Sequence, residues 1–409
     1  MSLASRLPDF PWDRLQPAKA KAAGAPGGLV DLSVGTPVDP APAVIQRALA
    51  AASDAPGYPL TAGTPALREA IAGFLADRFG VAGLAPTAVL PTIGSKELVA
   101  WLPTLLGLGA GDVVAHPELA YPTYDVGARL AGATPVTGDD PATLSQTLSQ
   151  TLSQTLSQTL SQTLSQTLSQ TLSQTLSASL SSSLSQLDPG AGRVRLLWVN
   201  SPANPTGRVL SPDQLRALVA WAREHGVVLA SDECYAEFGW DTDPVSVLHP
   251  DICGASHHGL LAIHSMSKRS NLAGYRGAFV AGDPTLVAGL LDVRKHAGMI
   301  VPAPVQAAMV AGLGDLDHVA EQRERYAARR SALRTALEGA GFTITHSEAG
   351  LYLWSSRGED CWATVDWLAD RGILVAPGDF YGTSGARHVR VALTATDERV
   401  AAAVERLRA

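Results

Sequence analysis

The chain has 409 residues, enough to bury a large core and to divide into two domains or lobes. Its formal net charge of −7 gives no polybasic surface, which argues against nucleic acid as a partner. Its three cysteines are too few and too scattered for a disulfide framework or a zinc site, and no stretch is apolar enough to span a bilayer. These features predict a soluble, cytoplasmic protein without a metal site.

Short apolar segments predict six strands: Ala88–Pro91, Asp112–Ala115, Val194–Val199, Val227–Ser231, Leu260–Ile263 and Gly277–Ala281. Helical patterns lie between them. The clearest, Ser211–His225, begins with a serine cap followed by proline and ends before Gly226. This alternation predicts a largely parallel sheet with helices on both faces, a type of sheet that binds ligands at the carboxyl ends of its strands.

One segment interrupts the pattern. Residues 143–174 are eight tandem copies of Thr-Leu-Ser-Gln, and a degenerate serine-rich tail continues to about residue 186. A step of four residues turns a helix by about 400°, so successive leucines drift around it and form no apolar stripe. As a strand, the repeat would place Leu and Gln on one face and bury little. We interpret it as a low-complexity insertion, disordered or weakly helical, outside the core.

The first predicted strand leads into Gly94-Ser95-Lys96 and then into a helical pattern. Free N–H groups at a helix start, with Lys96 beside them, suit a phosphate, although strand-Gly-helix turns are common in other settings. The segment Gly107–Gly111 superficially resembles a dinucleotide-binding loop. Asp112 stands where the last glycine of that motif belongs, so we interpret the segment as a turn.

Polar residues also follow the next strands. The loop Asn200–Gly207 contains two Asn-containing proline turns, which fit a rigid loop equally well. Asp232 ends a strand and Tyr235 follows three residues later, so a carboxylate and a phenol can reach the same ligand.

Lys268 follows the apolar strand Leu260–Ile263 and has hydroxyl groups at Ser265 and Ser267 and a guanidinium at Arg276. This set of groups suits an aldehyde that carries a phosphate. Pyridoxal 5′-phosphate (PLP) is therefore the candidate cofactor, and an ordinary surface lysine is the alternative.

Taken together and in order, the motifs resemble those of fold-type I, class I/II aminotransferases over nearly the whole chain outside the repeat. The matching segments are Leu32–Pro37, Tyr58–Gly63, Leu67–Ala70, Gly94–Lys96, Tyr121–Tyr124, Asn200–Gly207, Asp232–Tyr235, Ser265–Lys268, Arg276 and Val389–Ala392. Within that family, Leu7–Asp13 and Val30–Asp39 resemble actinobacterial N-succinyldiaminopimelate aminotransferases.

The resemblance implies a three-layer αβα sandwich with a mainly parallel sheet, together with a smaller α+β lobe. Residues 1–45 would be the N-terminal segment of the small lobe, and residues 286–409 its C-terminal part. Residues 46–285 would form the large PLP-binding domain, interrupted by the insertion at residues 143–186. The small lobe would close over the substrate.

The resemblance also implies a role for each matching side chain. Lys268 would bind the PLP aldehyde and then move a proton at the substrate Cα, and Asp232 would pair with the ring nitrogen. Tyr235 and Asn204 would bind the phenolic oxygen. The remaining cofactor contacts would be Tyr121, stacked on the ring, and the phosphate ligands Ser95, Lys96, Ser265, Ser267, Arg276 and, from a neighbouring subunit, Tyr58.

For the substrate, the resemblance implies that Arg390 clamps the α-carboxylate, with Gly35 and Asn204 beside it. A strand arginine that faces solvent or pairs with an acid is the alternative for Arg390. The function implied is a homodimeric transaminase that exchanges amino groups between glutamate and a keto acid, with N-succinyl-LL-2,6-diaminopimelate of lysine biosynthesis as the best candidate product. Another amino-acid aminotransferase, a PLP-dependent β-lyase and a non-catalytic PLP-binding or scaffold protein remain as alternatives.

Overall fold

The computed structural model describes residues 3–146, 150 and 193–408. Its strands are β1 (Val30–Asp31), β2 (Val89–Ile93), β3 (Val113–His116), β4 (Thr134–Thr137), β5 (Val194–Asn200), β6 (Val228–Asp232), β7 (Leu260–Ser265), β8 (Gly277–Gly282), β9 (Thr343–Thr345), β10 (Tyr352–Ser356), β11 (Ile373–Leu374), β12 (Ala376–Pro377) and β13 (Val389–Ala392). Its α-helices are α1 (Gln16–Ala23), α2 (Ala43–Ala51), α3 (Pro65–Phe79), α4 (Ser95–Leu105), α5 (Thr123–Ala131), α6 (Pro212–His225), α7 (Pro250–Cys253), α8 (Met266–Arg269), α9 (Pro284–Ala297), α10 (Ala303–Gly314), α11 (Asp317–Gly339), α12 (Cys361–Asp370) and α13 (Asp397–Arg408). Within this part of the chain, no helix has the length and hydropathy needed to cross a membrane.

A seven-stranded sheet in the order β2-β8-β7-β6-β5-β3-β4 forms the centre of the larger part of the molecule. β8 runs antiparallel to both neighbours, and the remaining strands are parallel to one another. The six predicted strands are all present, with boundaries shifted by no more than two residues. The prediction of a mainly parallel sheet is therefore confirmed, with one antiparallel strand.

Apolar cores lie on both faces of this sheet because the side chains of each strand alternate between the faces. In β5, Leu197 and Val199 pack into a core that includes Leu218 of α6. Leu196 and Trp198 point the other way, into a second core. A strand covered on both faces explains why β5 is apolar almost throughout.

The smaller part of the molecule has its own sheet and its own core. Strands β12, β13, β10 and β9 pair antiparallel in that order. β1 pairs with β11 in parallel, which attaches the N-terminal segment to the C-terminal third of the chain. The αβα sandwich with a smaller α+β lobe is thus confirmed.

The edge strand β4 was not predicted from the sequence. Its segment, Thr134-Pro-Val-Thr137, is short and at most half-buried, and it contains a proline. Proline is tolerated at a sheet edge because an edge strand leaves half of its N–H groups unpaired. The apolar pattern used to find the other strands is therefore absent here.

The first Thr-Leu-Ser-Gln copy is partly inside the core, in contrast to the interpretation of the repeat as lying outside it. Residues 141–146 are helical, and Leu144 is fully buried in the same apolar cluster as Trp221 of α6. The indole N–H of Trp221 donates a hydrogen bond to Ser145 Oγ at 3.1 Å. Apart from Gln150, the later copies and the serine-rich tail lie outside the described residues.

A buried ion pair fastens the N-terminal segment to α11. Both terminal nitrogens of the Arg329 guanidinium donate to the Asp39 carboxylate at 2.7 Å, and Gln322 Nε2 donates to it at 2.8 Å. Burial opposes ionisation of Asp39, but the hydrogen bonds from Arg329 and Gln322 outweigh it and lower the pKa of this carboxyl. The charged form of Asp39 therefore stabilises the fold.

We expect Asp39→Asn to lower the free energy of unfolding by about 2 kcal/mol at pH 7, because the buried Arg329 then keeps only the exposed Asp397 as a charged partner. The lowered pKa means that this contribution is complete above the unfolded value of 3.8 and is lost as the pH falls through the folded value. Urea denaturation at several pH values should show the difference between wild type and variant shrinking below about pH 4. Asp366→Asn, at an exposed pair with Lys21, should change little. A difference that persists undiminished in acid would contradict this assignment.

Candidate active site

Polar side chains converge at the carboxyl edge of the large sheet. Asn200 ends β5 and lies opposite Asp232, which ends the neighbouring parallel strand β6. Ser265 ends β7, the next strand in the sheet. The parallel arrangement thus places an amide, a carboxylate and a hydroxyl side by side, in the position where such sheets bind ligands.

Asp232 is a buried carboxylate without an ion-pair partner among the described residues. Its oxygens accept hydrogen bonds from the Tyr124 hydroxyl at 2.9 Å and from the Cys234 backbone N–H at 3.2 Å. Burial raises the pKa of Asp232, although these hydrogen bonds oppose the shift. A carboxylate in this environment is suited to bind a cationic N–H group.

Lys268 lies on the single turn α8, which starts directly after β7. The Ser265 side chain caps this turn by accepting the Ser267 N–H at 3.1 Å. Burial lowers the pKa of Lys268, with a further contribution from the positive charge of Arg390. Its Nζ donates to the carbonyl oxygen of Gly35 in the N-terminal segment. A buried amine with a lowered pKa is a better nucleophile near neutral pH than a surface lysine.

Arg390 extends from β13 and is only 3% exposed. One terminal nitrogen donates to Asn204 Oδ1 at 2.8 Å, and the other donates to the carbonyl oxygen of Ser33 at 2.6 Å. Its Nε has no hydrogen-bond partner within the described part of the chain. The guanidinium is therefore held in place while it retains capacity to bind an anion such as a carboxylate.

Tyrosines surround this guanidinium. The ring of Tyr352 lies 4.1 Å and that of Tyr381 lies 4.9 Å from Arg390 Cζ. The Tyr352 hydroxyl is 2.9 Å from the Tyr235 hydroxyl. Tyr121 contacts Tyr124 edge to face at a centroid distance of 5.9 Å, and burial raises the pKa of Tyr121 to about 12. These rings give the site flat apolar walls that end in hydroxyl groups.

The start of α4 forms a cradle for an anion. Gly94 precedes the helix with φ of 78°, and the guanidinium of Arg276 lies so close that a Cβ at Gly94 would overlap it. Ser95, the first residue of the helix, is half-buried. Free N–H groups at the helix start and the positive charge of Arg276 suit a phosphate.

Two candidate residues are exposed to solvent in the single chain. Tyr58 is fully exposed, and Lys96 on the first turn of α4 is exposed as well. The other candidates lie at the strand ends and on the segments that face them: Lys268, Asp232, Tyr235, Asn204, Tyr121, Ser95, Ser265, Ser267, Arg276, Arg390 and Gly35.

Sequence reasoning did not assign roles to three further residues that the fold brings into the cluster. Tyr124 contacts Asp232, Tyr352 contacts Tyr235, and Cys234 lies beside Asp232. Tyr124 belongs to a matching motif, so its position could have been examined. Tyr352 is part of an ordinary apolar strand pattern, Leu351-Tyr352-Leu353-Trp354, which carries no signal of a site.

Comparison with known proteins gives matches over almost the whole chain. A model of the family described as aminotransferase class I and II matches residues 28–407. The probable aminotransferase Rv1178 of Mycobacterium tuberculosis is 58% identical over 405 residues, covering 99% of this chain and 86% of that protein. The 4-dedimethylamino-4-oxo-anhydrotetracycline transaminase OxyQ of Streptomyces rimosus is 56% identical over 401 residues, covering 98% of this chain and 99% of that protein.

Proteins named for diaminopimelate substrates are more distant. An LL-diaminopimelate aminotransferase of Desulforudis audaxviator is 31% identical over 412 residues, covering 98% of this chain and 95% of that protein. Among solved structures, the probable N-succinyldiaminopimelate aminotransferase of Thermus thermophilus has a TM-score of 0.77 at 27% identity, covering 98% of this chain and 99% of that one.

We expect Gly35→Ala to disrupt the contact between the N-terminal segment and β10, because a Cβ at this position would overlap the Tyr352 hydroxyl and ring. The expected loss is about 1–3 kcal/mol in the free energy of unfolding measured with urea. Gly57→Ala is the matched control, since a Cβ there would have no neighbour within 4 Å. Equal stability of the two variants would contradict the close packing at Gly35.

Proposed function

This chain belongs to the class I and II aminotransferase family, and we propose that it transfers an amino group from glutamate to the keto acid that yields N-succinyl-LL-2,6-diaminopimelate. The cofactor of this family is PLP. The observation that carries the proposal is the convergence of a partly buried lysine with a lowered pKa, a buried carboxylate without an ion-pair partner among the described residues, and a buried arginine at one sheet edge. These three groups match an aldehyde, a ring nitrogen and a substrate carboxylate.

The residues of the site fit PLP by charge and position. Lys268 would bind the aldehyde carbon through Nζ, and Asp232 would pair with the ring N–H, with Tyr124 holding the carboxylate from the other side. Tyr235 and Asn204 would bind the phenolic oxygen, and Tyr121 would cover the ring. The phosphate ligands would be the α4 start with Ser95 and Lys96, together with Ser265, Ser267 and Arg276.

When bound, PLP supplies an electron sink that stabilises negative charge at the substrate Cα. Lys268 would move the proton: in the first half-reaction its Nζ would take the proton from the Cα of the amino donor. In the second half-reaction the same nitrogen would deliver a proton to the Cα of the acceptor. Burial keeps a larger fraction of this amine unprotonated near neutral pH, the form that can accept a proton.

Arg390 would orient the substrate by binding its α-carboxylate. Its bonds to Asn204 and Ser33 already fix the plane of the guanidinium, so little side-chain entropy is lost when substrate binds. Gly35 would keep the N-terminal segment close to the same carboxylate. The fixed guanidinium would hold the Cα proton within reach of Lys268.

We also propose that two chains form a dimer in which Tyr58 of the partner subunit completes the phosphate site. Tyr58 is fully exposed and Leu60, two residues on, is 59% exposed. Exposed aromatic and apolar side chains of this kind favour a protein contact.

For the acceptor, the family resemblance of the N-terminal segments and the likeness to diaminopimelate enzymes support the succinylated keto acid. The 56% identity to OxyQ favours a second candidate, a polycyclic aromatic ketone of the kind that the name of that relative states. The tyrosine-lined walls around Arg390 are compatible with either acceptor. Amino transfer is favoured over β-elimination and over a non-catalytic role, because the named relatives are aminotransferases.

The first test offers substrates to the PLP-loaded protein. We expect glutamate to convert the absorbance of the aldehyde form of the cofactor to that of the amine form, and the succinylated keto acid to restore it with formation of the amino product, detected by mass spectrometry. If a polycyclic ketone restores the absorbance of the aldehyde form and the succinylated keto acid does not, the polycyclic acceptor is favoured. A cofactor that no amino donor converts would contradict amino transfer.

The attachment of PLP to Lys268 can be tested with a matched control variant. Borohydride reduction should label Lys268 in the wild type, and Lys268→Ala should lose both label and turnover. Lys295→Ala, at a half-exposed lysine, should retain both.

The carboxylate clamp is tested by Arg390→Lys, which keeps the charge but removes the two-pronged donor. We expect kcat/KM for a substrate with a free α-carboxylate to fall about 100-fold and KM to rise. This decrease corresponds to the loss of about 3 kcal/mol in charge-assisted hydrogen bonds. Arg399→Lys, at an exposed position on α13, is the control and should behave as wild type. An unchanged kcat/KM in Arg390→Lys would contradict the role of Arg390.

A further inference from the structure

Tyr352 projects from β10 into the centre of the site. The side chain is 4% exposed, and its hydroxyl lies 2.9 Å from that of Tyr235. Its ring is held against Arg390 on one side, and Gly35 fits against its hydroxyl on the other. The hydroxyl is thus fixed by packing next to the phenol that would contact the cofactor.

The pairing of β10 with β13 explains why the Tyr352 side chain has a fixed position. β10 and β13 pair antiparallel, with Trp354 opposite Arg390 and Tyr352 opposite Ala392. Tyr352 and Trp354 are two residues apart and share a face, so the guanidinium lies diagonally across from the Tyr352 ring. Two paired strands therefore set the position of the hydroxyl, which a loop would hold less rigidly.

We propose that Tyr352 is a positioning residue that holds the Tyr235 hydroxyl and strengthens its hydrogen bond to the phenolic oxygen of the cofactor. The inference rests on the proposed placement of PLP against Lys268 and Tyr235. When Tyr235 donates its proton to an acceptor, its own oxygen is free to accept, and the Tyr352 hydroxyl is already within hydrogen-bond distance. Two hydroxyls that donate in series polarise each other, so the second bond strengthens the first.

The charges around the two phenols favour this direction of donation. Burial alone would raise the pKa of Tyr352, but other interactions, of which the positive charge of Arg390 is the largest, outweigh it and lower that pKa. The pKa of Tyr235 is raised by burial and by the neighbouring Tyr352. Tyr352, whose ring lies 4.1 Å from Arg390 Cζ, is the phenol next to the fixed positive charge and is therefore the better donor. The other titratable groups that face the pair are Cys234, beside Tyr235, and the phenols of Tyr121, Tyr326 and Tyr381.

The test is a spectroscopic pH titration of the PLP-loaded Tyr352→Phe variant, which keeps the ring on Arg390 and removes only the hydroxyl. A hydrogen bond to the phenolic oxygen lowers the proton affinity of the nitrogen that joins Lys268 to the cofactor. Loss of the Tyr352 hydroxyl should therefore raise the pH at which the cofactor absorbance changes by about 0.5 unit. A shift of this size corresponds to part of the free energy of one hydrogen bond. An unchanged transition would overturn the proposal.

Two controls separate this effect from a general loss of structure. Tyr326→Phe removes another buried hydroxyl, one that has no hydrogen-bond partner among the described residues, and should not move the transition. In a Tyr235→Phe background, Tyr352→Phe should cause no further shift, because its effect passes through Tyr235. A shift of equal size in that background would show that Tyr352 acts by another route and would overturn the inference.

The outcome distinguishes this inference from the proposed function. A wild-type absorbance that does not change with pH would overturn the placement of the cofactor as well, whereas a normal wild-type transition that Tyr352→Phe leaves unmoved would overturn this inference alone. If Tyr352→Phe does not bind PLP, the melting temperatures of the cofactor-free variants decide instead. The decreases in melting temperature caused by Tyr235→Phe and Tyr352→Phe should then be less than additive, since both substitutions break the same hydrogen bond. Full additivity would overturn the proposal.

Discussion

The bonds made by the buried guanidinium of Arg390 join three distant parts of the chain. Arg390 belongs to the small sheet, Asn204 to the loop after β5, and Ser33 to the N-terminal segment. A buried cation that loses these partners carries a large desolvation cost, so the three segments must assemble together. The constraint also orders the active site, because the loop that presents Asn204 and the segment that presents Gly35 are both held by the residue that would bind substrate.

The electrostatics of the site oppose folding and favour ligand binding. Asp232 is buried with only neutral hydrogen-bond donors, and Lys268 is partly buried with a backbone carbonyl as its acceptor. Each arrangement costs free energy in the chain alone, and each is compensated by a ligand group of suitable charge or reactivity. The two cores on the faces of the large sheet supply the apolar burial that offsets this cost.

The sequence predicted those features that depend on short-range patterns. The central strands are continuous apolar runs, and α6 begins with the predicted serine cap, in which Ser211 Oγ accepts the Gln214 N–H at 3.3 Å. Polar residues directly after such strands were therefore placed correctly at the sheet edge. Contacts between distant segments could not be predicted in this way. Neither the phenol pair Tyr235–Tyr352 nor the Tyr124–Asp232 bond leaves a periodic signal, and β4 is a polar edge strand with no apolar run.

The burial of Leu144 in the core of the large domain has a consequence for the repeat that follows it. Leu144, which is buried in the same cluster as Trp221, and Ser145, which accepts the Trp221 N–H, both belong to the first tetrapeptide after Pro141-Ala142, and all eight tetrapeptides are identical. Gain or loss of whole units therefore leaves the same leucine and serine in register with Trp221. Natural length variation in steps of four residues would preserve this anchor, whereas a deletion of one, two or three residues within the first unit would remove it.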